Sequence, residues 1–181
     1  MTEKTIIMDH QAVGRAVTRI SFEIVERNRG AENLCLVGIQ SGGTLLAWRI
    51  AQRIREIEGR EVECGTLDIS AFRDDGRVPE GYVDASEMGF SIDNKRLVLI
   101  DDVIYTGRTV RAAIDAIMSR GRPQNIQLAI LVDRGHRELP IRADFIGKNL
   151  PTSKEERVVV RAEGGPEDCV AIVKQKEGGS R

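Results

Sequence analysis

The chain has 181 residues, 41% hydrophobic and 30% charged, which suits one globular domain with ample sequence for a core. Its formal net charge of −1, from 27 basic and 28 acidic residues, argues against a general polyanion binder. No apolar run approaches the ~20 residues of a membrane span, the start MTEKTIIMDHQ lacks the features of a signal peptide, and the isolated cysteines Cys35, Cys64 and Cys169 exclude a structural zinc site and fit a reducing cytoplasm.

In chain order, Asp9 is placed as an N-cap, and Val13, Ala16, Val17, Ile20 and Ile24 recur at helical spacing until Gly30 ends the helix. Residues 34–39 read as a buried strand, 40–43 as a turn, and 44–57 as a helix through Leu45, Trp48, Ala51 and Ile54. A strand is expected over 62–70. Residues 72–93 follow with little periodicity, and a stretch that long without structure is usually functional or disordered. Further strands are expected over 97–100 and 126–132, with a polar turn over 101–107 and a helix over 109–120 stopped by Gly121 and Pro123. Residues 133–140 are turn-like, and 145–146, 158–160 and 169–173 read as short late strands. The alternation predicts an α/β fold with a mainly parallel sheet flanked by helices. It is taken as one domain over 1–181, with a flexible loop at about 72–93.

Ligands in such sheets bind beyond the carboxyl ends of the strands. The turns 40–43, 101–109 and 133–136 all fall there, which points to one site. The strongest motif is LVLIDDVIYTGRT at 97–109. Gly107 lets backbone approach an anion, the start of the following helix offers free N–H groups, and Thr106 and Thr109 add hydroxyl donors. Asp101 and Asp102 suit sugar hydroxyls or a metal-bound sugar. Together these residues describe a pocket for a phosphorylated sugar.

This motif resembles the 5-phosphoribosyl-1-diphosphate (PRPP) motif of type I phosphoribosyltransferases. The stretch 131–153, LVDRGHRELPIRADFIGKNLPTS, is similar to the bifunctional pyrimidine-operon attenuators with uracil phosphoribosyltransferase activity. So are AVTRI at 16–20, IVERN at 24–28 and DISAFRDD at 68–75. The resemblance spans residues 8–173 and implies the type I fold with a small C-terminal hood. It implies that uracil and PRPP are converted to UMP and diphosphate, with Mg²⁺ held mainly by PRPP and not directly by the protein. Asp101 and Asp102 would hold the ribose hydroxyls, and Arg73 would reach the leaving group. PRPP would also meet Gln40, Ser41, Gly42 and Gly43, then Val103, Ile104, Tyr105, Thr106, Gly107, Arg108 and Thr109. The base would lie against Val132, Asp133, Arg134, Gly135 and His136. Tyr105 stands where hypoxanthine-type enzymes carry a third acid, which weakens a purine reading. Relatives often show Thr-Arg-Gly in the diphosphate turn, and this chain has Ser41-Gly42-Gly43.

The second implied activity is UMP-dependent binding of a hairpin in the leader of pyrimidine-operon messenger RNA, through Thr18, Arg19, Arg137, Arg142 and Lys148. The even charge hides the means: Arg outnumbers Lys 21 to 6, and residues 68–93 hold seven acids and two bases, so the rest of the chain is net basic. With seven aromatic residues in all, backbone and loop contacts are expected over base stacking. Phe22 sits where a relative has a His. The resemblance implies a homodimer or higher oligomer. Two alternatives stand beside this reading: an RNA-binding nucleotide sensor with little or no catalysis, and a phosphoribosyltransferase for another base with no RNA role.

Overall fold

Apolar runs in the middle of the chain build a sheet buried on both faces. The computed structural model describes residues 3–174 apart from Ser41, Arg77 and Pro79. In order, the elements are β1 (Glu3–Met8), α1 (His10–Asn28), β2 (Leu34–Ile39), α2 (Gly42–Glu58), β3 (Glu63–Leu67), β4 (Arg96–Ile104), α3 (Arg108–Met118), β5 (Asn125–Asp133), β6 (Phe145–Asn149), β7 (Glu156–Arg161) and β8 (Cys169–Lys174). Five parallel strands lie in the order β3-β2-β4-β5-β6. Every residue of β2 is buried. Successive side chains point to opposite faces, so Leu36, Val98 and Ile100 pack under α1 and α2, while Cys35, Val37, Leu97 and Leu99 pack under α3.

The expected core face of α1 is the observed one: Val13, Ala16, Val17, Ile20 and Ile24 are all buried. Asp9 Oδ1 accepts the Ala12 N–H at 2.8 Å, and the helix ends on left-handed Arg29 and Gly30, whose N–H groups donate to Glu26 and Val25. At that end the Asn28 and Gln127 side-chain amides bond reciprocally at 2.9 and 3.0 Å, both buried. The expected face of α2 is corrected. Leu45 and Trp48 are about half exposed, at 50% and 52%, and Leu46, Ala47, Ile50, Ala51 and Ile54 form the buried face.

Two strands run further than expected. β4 continues through both acids to Ile104, and β5 reaches Asp133, so the polar turns begin later. The remaining sheet is antiparallel, in the order β1-β8-β7. The expected C-terminal hood therefore includes an N-terminal strand that the sequence reading did not assign. The described residues of 73–93 are irregular, pinned by a bridge in which Thr66 and Glu87 exchange two hydrogen bonds of 2.9 Å. Cys35 and Cys169 are buried as expected, and burial pushes the Cys35 and Cys64 thiols up to about 12. No described helix is long and apolar enough to cross a membrane.

Candidate functional site

The carboxyl ends of β2, β4 and β5 are neighbours in the sheet, and the three expected turns meet there. Glycines decide how closely. A Cβ on Gly38 would fall 2.5 Å from the Gly43 carbonyl oxygen, one on Gly43 2.1 Å from the Ile100 carbonyl oxygen, and one on Gly42 2.4 Å from the Asp102 carboxylate. At Gly38 and Gly43 the neighbour is backbone, so only glycine permits the approach, while at Gly42 the Asp102 side chain would have to move. Gly42 and Gly43 lie inside the first turn of α2, not in a turn before it. Ser41 lies outside the described residues. The Gln40 N–H donates to the Leu67 carbonyl at 2.9 Å, and its side-chain amide to the Ala85 carbonyl at 3.1 Å. Thr44 Oγ1, one residue further on, is buried without a hydrogen-bond partner among the described residues. It is a polar atom that the sequence reading passed over.

Asp101 is 6% exposed, and its Oδ1 accepts the Asp102 N–H at 2.9 Å. Burial, with the Asp102 charge next, pushes the Asp101 carboxyl well above the usual carboxylate range, and burial also raises Asp102. Among the described residues neither acid forms an ion pair. A buried acid beside a half-buried one, with no cation paired to either among the described residues, works against stability, which marks the pair as a functional demand.

Past the acids, Val103, Ile104, Tyr105, Thr106, Gly107, Arg108 and Thr109 line a cavity of about 360 Å³ with Arg73, Asp75 and Glu138. Gly107 caps α3 in the left-handed region, at φ 93°. The Arg108 N–H donates to Thr106 Oγ1 at 3.3 Å. The Arg108 side chain donates to Glu138 and to Asp74, each at 2.7 Å, and Arg73 Nε donates to Asp75 at 2.7 Å. Asp84 takes Arg120. Asp74, Asp75 and Asp84 are thus matched to Arg108 of α3, to Arg73 of the loop itself and to Arg120 just beyond α3. Asp74 and Glu138 gain roles here that a linear motif could not reveal, because each meets Arg108 only through the fold.

Beyond β5, Gly135 and His136 are both left-handed. The Gly135 N–H donates to Asp133 Oδ1 at 2.9 Å, and Val132 is fully buried. The Arg134 guanidinium lies 4.1 Å over the Tyr105 ring and donates to Thr152 Oγ1 at 3.0 Å and to the Glu156 carbonyl at 2.6 Å. His136 Nε2 donates to the Thr152 carbonyl, and its ring stands edge-on to Tyr105 at 5.5 Å. Both side chains brace the segment against the stretch leading to β7, and Thr152 is the shared acceptor that sequence reading missed.

The candidate RNA residues fall in two places. Thr18 is half-buried and Arg19 exposed on α1, and Arg19 donates to the carbonyls of Ile146 and Gly147 at 3.1 and 2.5 Å, beside exposed Lys148. Arg142 is also exposed. Arg137 is turned inward, donating to Ile141, Tyr105 and Asp133. A shallow groove places Arg15, Thr18, Arg19 and exposed Phe22 beside Arg53 of α2.

A phosphoribosyl transferase domain family matches residues 4–161. The chain is 56% identical over 162 residues to the "Bifunctional protein PyrR" of Geobacter sp. (strain M21), covering 88% of this chain and 92% of that one. It is 57% identical over 164 residues to the protein of the same name from Bacillus cereus (strain AH820), covering 88% and 91%. Among solved structures it is similar to a hypoxanthine phosphoribosyltransferase of Staphylococcus aureus, with a TM-score of 0.71 at 20% identity over 95% of this chain and 91% of that one. The Trypanosoma cruzi hypoxanthine enzyme gives 0.71 at 14% identity, covering 95% and 97%. At such identities these two structures speak for the fold alone.

Proposed function

Because the chain belongs to the phosphoribosyl transferase domain family, and within it to the PyrR proteins it matches at 56 and 57% identity, we propose that it is a UMP-responsive, RNA-binding attenuator of pyrimidine biosynthesis genes that also converts uracil and PRPP to UMP and diphosphate. One observation carries the chemistry: buried Asp101 and half-buried Asp102, with no ion pair among the described residues, lead into the left-handed Gly107 turn at the head of α3.

In this reading Asp101 and Asp102 accept hydrogen bonds from the ribose hydroxyls. The backbone around Gly107, with the Thr106 and Thr109 hydroxyls, holds the 5-phosphate at the start of α3. Gln40, Ser41, Gly42 and Gly43 face the diphosphate, with the Thr44 hydroxyl beside them. The base lies against the backbone of residues 132–136. Uracil N1 bonds to ribose C1 as the C1–O bond to diphosphate breaks; the electron pair leaves with diphosphate and the N1 proton goes to solvent. Arg73, on the cavity wall, faces the charge that grows on the leaving group. Catalysis is then positioning and electrostatics. Two adjacent carboxylates offer the hard oxygen ligands Mg²⁺ takes. Among the described residues no group of three or more ligating side chains is arranged for a metal, and Mg²⁺ would be held mainly by oxygens of PRPP, with Asp101 and Asp102 on the sugar hydroxyls beside it. Bound Mg²⁺ supplies neutralisation of the diphosphate charge.

Arg19, brought against β6 beside Lys148, unites the two basic segments proposed to meet the RNA backbone. A homodimer or higher homo-oligomer in the cytoplasm is part of the same reading. One observation favours the sensor alternative: among the described residues of the diphosphate turn there is no cation, and Arg73 is held by Asp75. Transcription of a pyrimidine-gene leader with purified protein tests the regulatory function. UMP is expected to raise the terminated fraction, and an equal fraction with and without UMP would overturn it.

A further inference from the structure

The chain between β5 and β6 serves two ends. It begins at the candidate base site, 133–136, and leads to Arg142 and Lys148. Arg137 stands between them. Its Nε donates to the Ile141 carbonyl at 2.8 Å, Nη1 to the Tyr105 carbonyl at 2.9 Å and Nη2 to Asp133 Oδ2 at 2.5 Å. One planar group therefore holds the sugar-phosphate turn, the base segment and the residue before Arg142 at once. Its side chain is 21% exposed, while Arg142 and Lys148 are exposed.

The backbone repeats this link. The N–H groups of Glu138 and Leu139 both donate to the Thr106 carbonyl, at 2.9 and 3.2 Å. A Cβ on Gly107 would already stand 3.5 Å from Leu139 and 3.6 Å from Ile141. Segment 137–141 is thus packed directly on the turn proposed to grip the nucleotide phosphate. A ligand that shifts the Tyr105 and Thr106 carbonyls shifts what Arg137 can hold, and Ile141 with it.

We infer that Arg137 is a positioning residue that couples nucleotide occupancy at 101–109 to the placement of Arg142 and Lys148, and does not itself contact RNA phosphate; this rests on the RNA-binding reading above. A lysine at 137 would keep a charge for Asp133 but lose the fork that reaches three acceptors together.

The test is a linkage cycle on the full chain: affinity for a leader hairpin with and without UMP, and for UMP with and without hairpin, which must change by the same factor. For the wild type the factor is expected to be about tenfold or more. In Arg137→Lys and Arg137→Met it falls towards one, while the salt dependence of hairpin binding keeps its slope. In Arg142→Met the factor is retained and the slope drops by about one, as loss of one phosphate contact requires. Should Arg137→Met fail to fold, Arg137→Lys with hydrogen exchange decides: UMP is expected to protect amides of 138–148 in the wild type and not in the variant. A wild-type coupling factor in Arg137→Lys, or equal weakening in both states with a shallower salt slope, would overturn the inference. A wild-type factor of one would instead overturn the regulatory reading on which it rests.

Discussion

Gly42 and Asp102 meet without room for a methyl group: a Cβ at position 42 would fall 2.4 Å from the Asp102 carboxylate. The contact seats the first turn of α2 on the acid pair. Gly42→Ala must push Asp102 aside or lift the helix end. PRPP affinity is expected to fall at least about tenfold, or about 1.4 kcal/mol, with far-UV circular dichroism unchanged. Calorimetric titration with PRPP measures it.

Asp101 ties function to a stability cost. Its carboxyl is pushed well above the usual range by burial and then by Asp102. The folded protein therefore holds this proton at pH values where the unfolded chain has lost it. That contribution to stability is fully present below the unfolded value of about 3.9, and is lost as pH rises through the folded value. The burden of the buried charge grows as pH rises. Asp101→Asn is expected to raise unfolding free energy at pH 7 by about 1–3 kcal/mol and to flatten its pH dependence, while abolishing ribosyl transfer. Urea denaturation across pH 5–8 checks the first two effects.

The Asn28–Gln127 pair closes the end of α1 on β5 inside the core. Asn28→Ala would leave the buried Gln127 amide unpartnered, so a loss of about 1–3 kcal/mol is expected. The urea midpoint should fall, with UMP binding intact.

Local signals revealed much of this structure. The face of α1 could be read because its apolar residues keep a 3.6-residue period, and the strands because runs such as 34–39 are apolar throughout. The face of α2 was misread because Leu45, Trp48, Ala51 and Ile54 recur every three residues, a spacing that drifts round a helix. The buried set Leu46, Ala47, Ile50, Ala51 and Ile54 keeps the true period. β1 escaped because its partner, β8, lies more than 160 residues away, from Met8 opposite Val170 to Glu3 opposite Lys174. Within the site, Asp101, Asp102 and Gly107 stood out because acids and a glycine directly after an apolar run are locally unusual. Thr152, Glu138 and Asp74 did not, since their meaning depends on which arginines the fold brings to them.

The most direct test of the central claim is product analysis with the full chain, uracil, PRPP and Mg²⁺. The account predicts UMP and diphosphate in equal amounts, with none from Asp101→Asn. No UMP above a protein-free control would contradict it.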